Sequence, residues 1–207
     1  GIGTTSPGTK LYVEDANVTD ANLHAGGNIA VMTSDGYAID KGGSISMGGE
    51  RSSGGADELG FATIAGRKEN VTSANSAGYL ALGTCTNGVG NTEKMRIDSS
   101  GNVGIGTAVP DGPLHVHAST CGSITANTNF NDLVLETSAH TGITIFSGTG
   151  SDGGIYFGDS GGNNRGQIKY HHGTPDSMSF SAADSLAMTI DSAGDVTFTG
   201  DLIMADG

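Results

Sequence analysis

Apolar side chains recur at every second position along short runs of this chain: Leu11 and Val13, Leu114 and Val116, Ile143 and Ile145, Met178 and Phe180, Met188 and Ile190. A period of two puts one face of each run inward, the pattern of half-buried β-strands. Between the runs stand DSSGN, SDGG, GDSGGNN, GTPD and SAGD, whose Asp, Asn, Ser and Gly residues supply side-chain-capped turns and positive-φ positions. The stretch from Ile97 to Val103 predicts a hairpin, two strand ends joined by Asp98, Ser99, Ser100, Gly101 and Asn102. No segment predicts a helix. The nearest candidate, residues 69–83, is interrupted by Gly78 and Gly83 and has no apolar stripe at helical spacing.

The pattern also repeats at long range. Laying Gly1-Ile2-Gly3-Thr4 on Gly104-Ile105-Gly106-Thr107 carries Pro7 onto Pro110, Leu11 onto Leu114 and Val13 onto Val116. Met95, Ile97, Asp98, Ser99, Gly101 and Val103 return as Met188, Ile190, Asp191, Ser192, Gly194 and Val196. A further match joins Gly43-Ser44-Ile45-Ser46-Met47-Gly48 to Gly154-Ile155-Tyr156-Phe157-Gly158. The chain thus divides into a first unit at 1–103, a second at 104–196 and the beginning of a third at 197–207.

Composition changes what such strands can build. With 36 glycines, 5% aromatic residues and no tryptophan, few large side chains are available for a core, and glycine is costly to order. The 35% of hydrophobic residues is still too many for a disordered chain. An all-β chain that completes its core by associating with copies of itself satisfies both facts. The net charge of -13 argues against nucleic acid as a partner, since that affinity comes largely from Lys and Arg. No run approaches eighteen apolar residues and no basic-then-apolar leader stands at the start, so neither membrane insertion nor a signal peptide is expected. Cys85 and Cys121 stand in unrelated contexts and predict free thiols.

Residues 93–107, EKMRIDSSGNVGIGT, followed by Pro110 and Leu114-His115-Val116, resemble the shaft repeats of bacteriophage tail fibres, especially those of marine and cyanobacterial phages. Residues 67–84, 154–180 and 197–207 are similar to other parts of such repeats. The resemblance implies an elongated, intertwined homotrimer located in the virion and exposed outside the cell, contacting other tail or fibre proteins. It also implies a distal tip that meets a host cell-surface receptor; neither a tip nor an intramolecular chaperone is recognisable in these residues.

Candidate chemistry is thin beside this structural reading. Gly148, Gly150 and Gly153 spell GxGxxG, but a dinucleotide loop must be followed by a helix, and Gly154-Ile155-Tyr156-Phe157 reads as a strand. Asp98, Ser100 and Asn102 begin like a calcium loop, yet Val103 and Val109 occupy the places that need Gly and Glu. His115 and His117 share one face of a strand, and fibres of the resembled kind hold axial metals with such pairs. With Leu114 and Val116 directed to a trimer core, however, both histidines are expected in solvent, and Tyr12 and Glu14 replace them in the first unit. His171 and His172 are adjacent and take opposite faces. Asn17 and Asn70 head Asn-Val-Thr triplets, which are acceptors only in a eukaryotic secretory setting.

The expectation is therefore a structural fibre-shaft segment with no enzymatic activity, no cofactor, no metal and no catalytic residue. Two other classes compete. A tailspike-like polysaccharide depolymerase needs paired carboxylates in a groove and aromatic platforms, but Asp98, Asp159, Asp176 and Asp191 all sit in turn contexts. A bacterial adhesin or extracellular filament shares the architecture and differs in its anchoring.

Overall fold

The structure, a computed structural model, describes residues 29–34, 36–53, 57–87 and 89–201. Leu11, Tyr12, Val13, Glu14 and Asn17, and with them the opening Gly1–Thr4 phrase, lie outside the described residues, as do residues 202–207 of the third unit. The architecture is all-β, with no helix among the described residues. Twelve strands follow one another: β1 Ser44–Glu50, β2 Glu58–Lys68, β3 Gly78–Thr86, β4 Gly90–Ile97, β5 Val103–Ile105, β6 Leu114–His117, β7 Leu133–Glu136, β8 Asp152–Asp159, β9 Gly162–His171, β10 Ser177–Ala182, β11 Ser185–Asp191 and β12 Val196–Phe198. The chain forms two compact units, residues 1–141 and 142–207.

In the first unit, seven strands pair in chain order, β1 to β7. The first five form an antiparallel meander, whereas β5, β6 and β7 run parallel. In the second unit, β8 to β12 form a five-stranded antiparallel meander, again in chain order. The two meanders share one plan. The paired phrases Met95 to Val103 and Met188 to Val196 each supply the fourth strand, the turn and the start of the fifth strand. The sequence repeats therefore meet inside equivalent strands, β5 and β12.

The predicted hairpin from Ile97 to Val103 forms, and the reason is one carboxylate. Asp98 Oδ1 accepts the amide hydrogens of Ser100 at 2.9 Å and Asn102 at 2.8 Å, its Oδ2 accepts Asn102 Nδ2 at 3.0 Å, and Gly101 takes φ 87. Such short-range acceptance is what makes Asp a turn residue rather than a strand residue.

The predicted strand at Ile143 and Ile145 is different: residues 142–147 carry no strand pairing in their own chain. Alternation gives a segment the capacity to be a strand, but pairing also needs a free neighbouring edge in register.

Candidate self-association surface

Cross-strand register stacks the apolar positions into continuous rows. In the first unit Ile45, Ile64, Leu82, Met95, Ile105, Val116 and Leu135 lie side by side across all seven strands. A second row runs Leu80, Ile97, Val103, Leu114 and Leu133. The second unit repeats the device with Ile155, Ile168, Phe180, Met188 and Phe198, and with Tyr170, Met178, Ile190 and Val196. Paired residues share a sheet face, so each sheet has one face lined almost wholly by aliphatic and aromatic side chains.

That face is open in the single chain. Ile45 is 52% exposed, Ile64 42% and Phe198 45%. Among the described residues, only Ala65 at 4% and Tyr79 at 7% are buried apolar side chains, and both lie on the opposite face of the first sheet. Covering the exposed half of an Ile or Phe side chain is worth on the order of 1 kcal/mol, and each sheet offers many of them. An apolar face of this breadth marks an interaction surface.

The opposite faces are polar and internally bonded. Arg96 on β4 donates to both Glu93 oxygens, at 2.7 and 2.9 Å, and its guanidinium lies 3.8 Å from the centre of the Tyr79 ring. The Glu93 bonds hold the Arg96 guanidinium above its ordinary range. Tyr79 donates its hydroxyl to Asp40 at 2.6 Å, and burial together with that bond pushes the phenol up to about 12. Ala65, Ala81 and Gly83 floor a small cleft of about 280 Å³ between this group and the pair formed by Asn91 and Thr63. In the second unit the polar face carries Lys169 and His171. Both engage Asp152, whose carboxyl is held below its ordinary range first by His171 and then by Lys169.

The expectation that His115 and His117 face solvent is corrected. His115 is 2% exposed, and both rings lie on the sheltered face of β6, while Leu114 and Val116 are half-buried on the apolar side. The parallel pairing of β5 with β6 causes this, because the chain must cross back over one sheet face between them. It crosses the polar one: the Asp111 amide donates to His115 Nδ1 at 3.3 Å, and Gly104, paired with His115, leaves the neighbouring position empty of side chain.

Glu136 on β7 meets both histidines, with Oε2 3.2 Å from His115 Nε2 and Oε1 3.9 Å from His117 Nε2. Oε1 also accepts the Cys121 amide hydrogen at 2.8 Å, the main cause that holds the Glu136 carboxyl below its ordinary range. His115 Nε2 lacks hydrogen-bond alignment with the carboxylate and is the buried side-chain polar atom without a partner among the described residues. Because His115 Nδ1 serves as an acceptor, the proton of the neutral ring sits on Nε2, the atom that would have to present a lone pair to a metal. His117 is the reverse case, its Nδ1 donating to the Gly106 carbonyl at 3.3 Å. Among the described residues no group of three or more His, Cys, Asp and Glu is arranged to hold a metal ion.

The other singled-out motifs are structural elements. Gly148 to Ser151 is a turn, closed by the Ser151 amide on the Gly148 carbonyl at 2.8 Å, and strand β8 follows it. His171 reaches Asp152, and His172 packs edge-on against Tyr170 with ring centres 4.8 Å apart. Cys85 and Cys121 are unpaired thiols. Sequence reading missed Glu136, Tyr79 and Arg96. Glu136 and Tyr79 lie far along the chain from the groups they engage, and Arg96, though three residues from Glu93, meets the Tyr79 ring only through strand pairing.

No family model and no curated protein sequence matches the chain. The fold is similar to the solved carboxy-terminal domain of the bacteriophage T5 L-shaped tail fibre, with 15% identity, a TM-score of 0.39 and 94% of each chain covered. It is also similar to that domain solved with its intra-molecular chaperone domain, with 13% identity and a TM-score of 0.43, covering 96% of this chain and 64% of that one.

Proposed function

We propose that this chain is a structural shaft segment of a homotrimeric phage tail fibre, located in the virion and exposed outside the cell. In this role it spaces a distal, host-receptor-binding tip from the particle and carries out no catalysis. The observation that carries the reading is the pair of apolar sheet faces left open in the single chain, on units whose repeated phrases resemble fibre-shaft repeats. A chain whose apolar rows outrun its own capacity to cover them completes its core with copies of itself, and a repeated unit lets the same contact recur along an axis. The polar faces then face water, and the net charge of -13 carried by each chain keeps neighbouring fibres apart.

Sedimentation velocity on the purified protein tests this, because it reports mass and frictional ratio together. The expected result is a particle of three chains with a high frictional ratio at all accessible concentrations. A compact monomer overturns the proposal.

A further inference from the structure

In the second unit, the extended residues 142–147 run beside the first strand of the sheet, with Ile145 and Ser147 in contact range of a Cβ placed on Gly153. Between this segment and the sheet opens an apolar groove of about 280 Å³ lined by Ile145, Ile155, Ile168, Tyr170 and Met178. Phe146 is 93% exposed. Ile145 lines the groove, and successive side chains of an extended segment point to opposite sides, so the Phe146 ring is directed away from the groove of its own chain.

The first unit repeats the arrangement. There residues 29–33 lie beside the start of β1, with the Val31 main chain against Gly43, and an apolar groove of about 710 Å³ is lined by Ile29, Val31, Met32, Ile45 and Ile64 among others. Met32, next after Val31 as Phe146 is next after Ile145, is 85% exposed. The parallel is partial: both side chains are highly exposed, but Met32 itself lines its groove, whereas Phe146 stands outside the groove that Ile145 lines.

We infer that Phe146 is an intermolecular knob that seats in the groove formed by Ile145, Ile155, Ile168, Tyr170 and Met178 of a second copy of this chain. This rests on the self-association proposed above and names its contact. The groove floor belongs to the apolar rows of that face, so the knob extends the same surface. An aromatic ring buries 150–250 Å² at roughly the size such a groove accepts, which makes it an anchor rather than a rim contact. Knob and groove occupy different places on one chain, so in the trimer proposed above each copy would give its ring to one neighbour and receive a ring from the other. Such a head-to-tail contact closes into a ring of three copies when the rotation between neighbours is about 120°.

The test replaces Phe146 with the photo-crosslinking residue p-benzoylphenylalanine in the full chain, with sedimentation velocity run on the same sample before irradiation. The expected result is crosslinked bands of two and three chains on a denaturing gel, with the attachment mapped by mass spectrometry to peptides holding Ile155, Ile168, Tyr170 or Met178. A monomer in sedimentation overturns the self-association reading and this inference with it. An assembled sample whose crosslinks fall within one chain, or on other peptides, overturns this inference alone. In parallel, Phe146→Ser is expected to raise the dissociation constant of the assembly about tenfold or more, while Phe146→Leu stays within about threefold. Equal effects of the two substitutions count against the knob.

Discussion

Asp98 and Asp191 hold two turns that match in every bond to the main chain, Asp98 alone accepting a further side-chain bond from Asn102. Asp191 Oδ1 accepts the amides of Ala193 and Asp195, both at 2.9 Å, just as Asp98 Oδ1 accepts those of Ser100 and Asn102. The main-chain bond from the Asp191 amide to the Asp195 carbonyl, at 3.0 Å, mirrors that from Asp98 to Asn102, also at 3.0 Å. Gly194 takes φ 88 where Gly101 takes φ 87. A repeated phrase has become a repeated piece of geometry because every bond in it is made within five residues.

Replacing Asp98 or Asp191 by Ala is expected to cost about 1–2 kcal/mol each, and Asp→Asn, which keeps one acceptor oxygen, less. Denaturant unfolding of the single and double variants checks this. The two sites lie in separate compact units, so their costs should add.

A charge placed on an apolar row should separate the copies, whereas the same charge on the other face should not. Ile64→Asp and Phe180→Asp are expected to weaken self-association by about a hundredfold or more, because burying an unpaired carboxylate costs several kcal/mol. Thr63→Asp and Ser179→Asp, on the neighbouring strand positions and hence the opposite face, serve as controls expected to leave it within a few-fold. Sedimentation equilibrium over a concentration series distinguishes them.

Glu136 makes the 118–122 connection acid-sensitive. Its carboxyl is held below the ordinary 4.5 by the Cys121 amide, so its contribution to stability is present above that value and is lost as pH falls through the lower folded value. The Cys121 amide resonance is expected to titrate with a midpoint below 4.5 and to stop titrating in Glu136→Gln. A midpoint at or above 4.5 contradicts the bond.

Tyr79 gives the opposite window. Its phenol rises from 10.0 to about 12 through burial and its bond to Asp40, so the stability it contributes is present below 10 and is lost as pH rises towards 12. The tyrosinate absorbance lost on Tyr79→Phe should belong to a group ionising near 12, and Asp40→Asn should move that ionisation downward.

Gly106→Ala is expected to cost about 2 kcal/mol or more. Gly106 holds φ 78, and the new Cβ would run into the His117 carbonyl across the parallel pair. Thermal unfolding measures the loss, and Gly101→Ala, which has the same φ sign but open space around it, should cost less.

Much of this molecule was legible in its residues. The period-two runs became β6, β10 and β11, and the turn phrase became the same hairpin corner twice, since alternation and Asx turns are settled by neighbours in the chain. The shortage of large side chains against many alternating apolar ones also announced a sheet face seeking a partner. Tertiary structure decided which face is sheltered and which side chains meet. His115 is buried because the crossover between parallel β5 and β6 passes over the polar face, a path no local pattern encodes. Tyr79, Asp40 and Arg96 form one group because the fold brings distant residues within a few ångströms, and Ile143 to Phe146 carry no strand pairing although they run beside the edge strand β8. Strand propensity is a property of a segment, whereas pairing and cover depend on where the rest of the chain goes.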